Sequence, residues 1–274
     1  MTHPDAADQS AARISNEPLE NVDEEDLGEP VIDAVCLAVE GQSSGLPAPI
    51  SIRAFRGDLV VVRGAAGSGK TALLLTLGGR MNYRAGRLQV LGNNLPHGAR
   101  TVRARAALGL MRGVNDLDPN LSVEQHIAER LIFQQPWWKP WVSRQAVHNI
   151  VELVNTTMSS LAHSPGLKVG APRLEGRNFP SEVTPLEQFL LGTVLALVGS
   201  PDILLVDDID ALRDRADRVA AWTGLLQFLN GPASPTTVVT CQDDTELAEA
   251  LDALGSPLTA TQIHRIALTS PSRN

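Results

Sequence analysis

The sequence predicts an α/β fold: a mostly parallel sheet with helices on both faces and a helical block inserted between its strands. Three observations lead there. An aliphatic segment, Leu59 to Arg63, runs straight into a glycine-rich loop and then into a leucine-rich helix. Beyond Leu186, aliphatic strand-like runs alternate with helical patterns, the order that builds a parallel sheet. Residues from Leu121 to about Pro185 break that alternation and show helical apolar spacing alone.

The elements follow in order. Val31 to Val39 is an apolar-rich strand candidate, and Gly41 to Pro49 is a Gly/Ser/Pro-rich loop. Ile50 to Ala54 and Leu59 to Arg63 are short strands joined by a turn at Arg56-Gly57-Asp58. Thr71 to Leu77 begins a helix, with leucines at 73, 74, 75 and 77. Arg87 to Leu91 and Ala107 to Met111 are further strands. Glu124 to Phe133 and Gln145 to Leu161 are helices, separated by a turn rich in proline and tryptophan. Then come a helix at Leu186 to Val198, a strand at Ile203 to Asp207 and a helix at Ala211 to Leu229. A strand at Thr236 to Thr240 and a helix at Thr245 to Leu254 complete the pattern.

Charge sets further bounds. The 274 residues carry 31 acids and 23 bases, a net charge of −8, and only 4% are aromatic. The core must therefore be mostly aliphatic. Residues 1–29 hold nine acids and one base, which accounts for the whole net charge. That stretch lacks periodicity and reads as an acidic disordered tail, leaving 30–274 as the folded body. An acidic chain of this kind is a poor candidate for general nucleic-acid binding, because phosphates need a basic face, so no nucleic-acid partner is expected. The tail has no basic start and no apolar stretch, unlike a secretory signal. The longest apolar run, Phe189 to Gly199, is too short to span a bilayer. Two distant cysteines, Cys36 and Cys241, fit a reducing compartment. The expectation is a cytoplasmic protein.

The loop after Arg63 carries the chemistry. Gly64-Ala65-Ala66-Gly67-Ser68-Gly69-Lys70-Thr71 fits G-x-x-x-x-G-K-[ST]. Glycines let the backbone curl so that N–H groups point inward at phosphate oxygens. The following helix adds the positive end of its dipole. Lys70 would reach the β- and γ-phosphates of a nucleoside triphosphate, and the Thr71 hydroxyl would be one ligand of Mg²⁺. Lysine is rare here: only Lys70, Lys139 and Lys168 occur among 23 bases. Its placement at position 70 suits a compact ammonium.

A second motif complements the first. Ile203 to Val206 is an aliphatic run that ends in Asp207 and Asp208. A carboxylate at the C-terminal end of such a strand can hold Mg²⁺ opposite the phosphate loop, and Asp207 fits that role. Asp208 then stands where a base or water-orienting group is useful. The plain alternative is an acidic strand end that caps the next helix.

These motifs sit in a wider pattern that resembles the ATP-binding cassette family, the nucleotide-binding domains of ABC transporters. Leu77-Gly78-Gly79 through Gly86-Arg87-Leu88-Gln89-Val90-Leu91-Gly92 is similar to the family's segment after the phosphate loop. Leu117 to Glu124 is similar to the stretch entering its helical subdomain. Glu187-Gln188 and Ala196 to Ile203 keep its spacing up to the second carboxylate motif. The resemblance covers roughly Val31 to Ser270. It implies a P-loop NTPase core with a small antiparallel β subdomain and a helical subdomain at about 120–185. It also implies ATP as ligand with Mg²⁺, a membrane permease subunit as partner, and a homodimer or a heterodimer with another such ATPase. The location it implies is peripheral to the inner face of the cell membrane.

The departures are equally specific. The family's Leu-Ser-Gly-Gly-Gln signature falls on Val183-Thr184-Pro185-Leu186-Glu187. Thr184 can replace the serine, but Pro185 lacks an N–H and Leu186 adds bulk. The glutamine that contacts Mg²⁺ and water falls at Gly113, with Asn115 or Asp116 as the candidate substitutes. The switch histidine falls at Gln242, which can hydrogen-bond but cannot carry positive charge. The catalytic glutamate falls at Asp208, one methylene shorter. No aromatic residue precedes Phe55, so the family's adenine-stacking ring has no counterpart. Together these imply retained ATP binding and slow hydrolysis, with Asp208 and Gln242 as the remaining catalytic candidates.

Other features have plainer readings. Trp137, Trp138 and Trp141 either anchor a helix of a membrane subunit or cover the small core of the helical block. The balance at the level of sequence favours the core. The six histidines lack metal-ligand spacing. Asp214 fits either a subunit interface or a pairing with Arg213 or Arg218. A non-transport regulator or assembly protein switched by ATP is the alternative function, and a kinase outside the family is a third.

Overall fold

A computed structural model describes residues 28–39, 49–138, 141–164, 174–230, 234–254 and 263–268. The acidic tail reading falls on residues outside these, apart from Gly28 and Glu29. So does the Gly41 to Pro49 loop, apart from Pro49.

Two sheets organise the chain. The first contains β1 (Ile32–Val39), β2 (Ile50–Ala54), β4 (Tyr83–Val90) and the short β5 (Asn93–Asn94), in the order β2-β1-β4-β5 with antiparallel pairing throughout. A bulge interrupts β1 opposite β4, where Cys36 takes a positive φ of 49°. Gly86 faces that bulge with φ +99°, and a Cβ there would come within 2.4 Å of the Cys36 carbonyl oxygen. Only glycine fits so close a backbone approach.

The second sheet is parallel. Its strands are β3 (Leu59–Gly64), β6 (Ala106–Leu108), β7 (Ile203–Val206), β8 (Thr236–Cys241) and β9 (Ile263–Leu268), in the order β6-β7-β8-β3-β9. Strands buried on both faces are continuously apolar, and β7 is Ile-Leu-Leu-Val with every residue buried. Alternate side chains divide between two cores. Leu59, Val61, Leu204, Val206 and Val239 face one cluster, shared with α5 (Pro185–Leu197), α6 (Arg215–Leu229) and α7 (Thr245–Leu254). Val60, Val62, Ile203, Leu205 and Val238 face the other, shared with α1 (Lys70–Leu77) and the antiparallel sheet. The second face is thus covered mainly by the antiparallel sheet, the small β subdomain that the family resemblance implies, and one short helix, where strand–helix alternation by itself suggests helices on both faces.

The helical block contains α3 (Val123–Phe133) and α4 (Arg144–His163). Each starts on a serine cap. Ser122 Oγ accepts from the Gln125 N–H while Gln125 returns a bond to the Ser122 N–H, and Ser143 Oγ accepts from the Ala146 N–H. Such caps satisfy orphan first-turn donors. Val123, Ile127, Val154, Met158 and Leu161 carry these helices into the core shared with α5 and α6.

Several expectations need correction. Strand β4 starts earlier, at Tyr83, because its pairing with β1 runs through the bulge. Strand β6 ends at Leu108, and Met111 is buried in the turn that follows. The helix expected from Ala211 begins at Arg215, since Ile209–Ala211 closes a tight 3₁₀ turn first. Helix α2 (Ala99–Arg105) and strand β9 were not anticipated. The tryptophan reading also changes: Trp137, Trp138 and Trp141 are 87%, 69% and 79% exposed, so they do not cover a core.

Candidate functional site

The glycine-rich loop links the C-terminal end of β3 to the N-terminus of α1. Gly67 and Gly69 have φ values of +77° and +93°, the left-handed region open to glycine. Gly64 meets a different constraint. A Cβ there would lie 2.4 Å from Ser68 Oγ and 3.1 Å from Leu268 on β9. Gly69 is the N-cap of α1 and, having no side chain, gives no cap to the first-turn N–H groups. No acid stands in that first turn, so the positive end of the helix remains available to an anion.

Lys70 is buried, and its Nζ donates to the carbonyl oxygens of Gly64 and Ala65 at 2.7 and 3.0 Å. Ser68 is buried too, and its Oγ has no hydrogen-bond partner among the described residues. An unpartnered hydroxyl under such a loop is the kind of group that a bound anion satisfies.

The carboxylate motif meets the loop directly. Thr71 Oγ1 donates to Asp207 Oδ2 at 2.7 Å, and Thr240 Oγ1 donates to Asp207 Oδ1 at 2.6 Å. Thr240 Oγ1 also accepts from the Asp208 N–H at 2.8 Å. The carboxylate is therefore held at both oxygens by hydroxyls from α1 and β8, at the mouth of the loop. Asp208 caps the 3₁₀ turn with φ +49°. The Gln242 N–H donates to Asp210 Oδ2 at 2.5 Å. Burial raises the Asp210 pKa above the ordinary carboxylate range, the Gln242 N–H opposes the rise, and the neighbouring Asp208 charge adds to it.

Lys70, Thr71, Asp207, Asp208 and Gln242 all line one cleft of about 860 Å³. That size lies within the range of small-ligand sites, roughly 300–1,000 Å³. Arg84, Arg112 and Asp116 line it as well, and Pro185 and Gln188 of α5 also border it. Ala65 serves the site through its carbonyl, while Ala66 lines the cleft beside Gly67.

Some expected substitutes are committed elsewhere. The Asn115 side chain accepts from the Met111 N–H at 2.8 Å and donates to the Gly109 carbonyl at 2.9 Å, so both ends of its amide brace its own loop. Asp116 accepts from the Gly113 N–H at 2.7 Å while bordering the cleft. Thr184 closes a capping box on α5: its Oγ1 accepts from the Glu187 N–H and donates to Glu187 Oε2 at 2.8 Å. Pro185 occupies the first helical position, where its missing N–H costs nothing. Asp214 caps α6 by accepting from the Ala216 N–H, while Arg218 pairs with Glu246. Among the described residues no cluster of three or more His, Cys, Asp or Glu could hold a metal ion by itself.

The sequence missed Thr240. Its one visible signal was a polar β-branched residue at the C-terminal end of an aliphatic strand, just before Gln242. Arg84 and Arg112 were missed because they lie outside the motifs.

A parallel sheet with a glycine-rich loop between its strand and helix, and a strand-end aspartate on the loop's threonine, defines a P-loop NTPase fold. A family model described as "ABC transporter" matches residues 48–211, and the chain belongs to that family. An ABC transporter ATP-binding protein of Methanopyrus kandleri is 27% identical over 205 residues, 74% of this chain and 68% of that protein. The sulfate/thiosulfate import ATP-binding protein CysA 2 of Chromobacterium violaceum is 29% identical over 161 residues, 59% of this chain. The Nod factor export ATP-binding protein I of Burkholderia lata is 27% identical over 180 residues, 66% of this chain. The matches span only 37% and 53% of those last two proteins. Among solved structures, the dimeric ATP-binding cassette MJ0796 bound to ADP and Pi superposes with a TM-score of 0.59 at 16% identity, covering 79% of this chain and 90% of that one. CbiO1 from Clostridium perfringens, part of the ABC transporter complex cbiONQ, superposes with a TM-score of 0.60 at 15% identity, covering 81% and 82%. Likeness at that identity establishes the fold.

Proposed function

We propose that this protein is the ATP-binding subunit of an ABC-type transporter, which couples ATP binding and slow hydrolysis to a membrane permease. The observation that carries the reading is the Thr71–Asp207–Thr240 cluster at the mouth of the glycine-rich loop. Residues 30–274 form its ATP-binding domain, with a helical subdomain at about 120–185. Gly64 to Thr71 would cradle the phosphates and Lys70 would neutralise them. Thr71 and Asp207 would hold Mg²⁺, which supplies charge neutralisation of the phosphates when bound.

The residues that position water are weaker. Gly113 has no side chain, Asn115 is tied to its loop, and Gln242 brings no charge. Asp208 carries a shorter carboxylate than the family's glutamate. The Thr184 hydroxyl, engaged with Glu187, serves its own helix. This supports a heterodimer with a conventional subunit, in which this chain's loop faces the partner's intact signature. A homodimer would have two poor composite sites. Either assembly would sit on the cytoplasmic side of the membrane, docked to the permease.

Calorimetric titration of ATP with Mg²⁺ tests the central claim. Lys70→Ala should weaken binding at least about tenfold, since it removes a charge-assisted contact. Equal affinity in both proteins would sink the reading. Co-purification with a polytopic membrane protein separates a transporter subunit from an ATP-switched regulator.

A further inference from the structure

Nine large apolar side chains are exposed among the described residues, and five of them lie within ten consecutive positions: Ile132, Phe133, Trp137, Trp138 and Trp141. They cap one end of the helical block, from the last residues of α3 towards the start of α4. Phe133 is 74% exposed and the three tryptophans more than two-thirds exposed. A concentration of this kind marks an interaction surface, whereas scattered exposed side chains do not.

We propose that this tip is a membrane-interface anchor that seats in the headgroup layer of an anionic bilayer. Its composition fits that occupant. Indole rings combine an apolar body with an N–H donor and concentrate at the boundary between acyl chains and headgroups. The local charge is complementary as well. From Leu131 to Val151 there is no acid, and Lys139 and Arg144 are the two bases, in a chain whose net charge is −8. Basic residues beside an apolar tip are drawn to anionic lipid. Ten residues cannot cross a bilayer, which takes about 20 in a helix. The shape favours lipid over a protein pocket. The Trp137 and Trp138 rings pack edge to face, 87° apart with centroids separated by 5.9 Å, so they present no single flat contact face. A fluid headgroup layer accommodates that arrangement without a preformed complementary surface.

The proposal goes beyond the transporter reading and needs neither nucleotide nor permease, so the two can fail separately. The test uses the full chain without ATP. Sedimentation is compared between vesicles of phosphatidylcholine with phosphatidylglycerol and vesicles of phosphatidylcholine alone. Tryptophan emission is followed with lipids brominated on the acyl chains. Trp222 is fully buried and serves as an internal reference that lipid does not quench. The wild type should pellet with the anionic vesicles, and its emission should shift to the blue and be quenched. Salt should weaken the binding. The combined variant Trp137→Ser, Trp138→Ser, Trp141→Ser should lose at least roughly tenfold in vesicle partitioning while its melting temperature changes only slightly, since most of each ring lies outside the fold and would be buried by lipid. A wild type that stays in the supernatant, or a variant that pellets equally well, overturns the proposal. Self-association through the tryptophans, or capture of a detergent-solubilised permease without vesicle binding, also overturns it and assigns the tip to protein.

Discussion

Thr71 and Asp207 lie 136 residues apart in sequence and are joined by a 2.7 Å hydrogen bond from the threonine hydroxyl to a carboxylate oxygen. The other oxygen of Asp207 is held by Thr240 from a third element. This fixes the carboxylate beside the glycine-rich loop before any ligand arrives. The same pair predicts how ATP binding depends on Mg²⁺. Chelation by EDTA should weaken ATP binding to the wild type by roughly tenfold or more, the scale of one lost charge contact. Asp207→Asn should bind ATP with nearly the same affinity with and without Mg²⁺. Asparagine offers one acceptor and one donor, and a threonine hydroxyl can rotate to accept from the donor, so the loss in stability should be about 1 kcal/mol, the scale of weakening charge-assisted bonds to neutral ones. Calorimetry and urea unfolding check both effects. An unchanged Mg²⁺ dependence in Asp207→Asn would remove the carboxylate from the metal site.

Hydrolysis should be slow and partly repairable. Alone, with Mg²⁺ and ATP, the wild type should release phosphate well below the usual enzyme range of about 1–10³ s⁻¹. Asp208→Glu with Gln242→His should raise the rate at least about tenfold, because it restores carboxylate reach and a chargeable group. Replacing Gly113 is a poorer route. Space is open around it, but its φ of +77° strains any L side chain. Steady-state phosphate release decides the matter, and a robust wild-type rate would mean that Asp208 and Gln242 suffice to position the attacking water.

Thr184 should matter more for stability than for nucleotide. Thr184→Ala removes the hydroxyl of the α5 capping box and should cost about 1 kcal/mol in urea unfolding, within the usual span for lost caps. Thr184→Ser keeps the hydroxyl and should stay close to wild type. Equal losses in both variants would mean that the methyl group, and not the cap, is what the site needs.

The two cysteines should separate cleanly. Burial pushes the Cys241 thiol up to about 12, with Asp210 and Asp244 adding to the rise, while Cys36 is exposed. A thiol-alkylating reagent at pH 8 should label Cys36 alone in the native protein and both after unfolding. The sign for stability follows. The folded state binds the Cys241 proton more tightly than the unfolded chain does. Its contribution is therefore complete below the unfolded pKa near 9.0 and is lost as pH rises towards about 12. Mass spectrometry of labelled protein and unfolding against pH test this. Rapid native labelling of Cys241 would contradict its burial.

Legibility in the sequence varied by element. β7 and β3 were readable because strands buried on both faces must be continuously aliphatic. α2, Ala-Arg-Thr-Val-Arg-Ala-Arg, was hidden because Val102 is its single buried side chain, so no apolar period marks it. β9 was hidden for a related reason. It lies at the sheet edge, paired only with β3, and just one of its six residues is buried. Trp137, Trp138 and Trp141 misled because large apolar side chains are usually buried, and composition alone cannot say which way they point.

The sequence by itself determined the glycine-rich loop, its lysine and threonine, and the aliphatic strand ending in Asp207. Each is a local pattern set by backbone freedom, phosphate chemistry or burial. Tertiary structure alone decided that Thr240 completes the clamp on Asp207, that Asn115 is spent on its own loop, and that the tryptophans face outward. Those outcomes depend on which distant side chains parallel strand pairing brings within hydrogen-bond reach. β7 and β8 pair in a register that sets Val206 beside Val239, which places Thr240 next to Asp207. No local pattern around position 240 encodes that register.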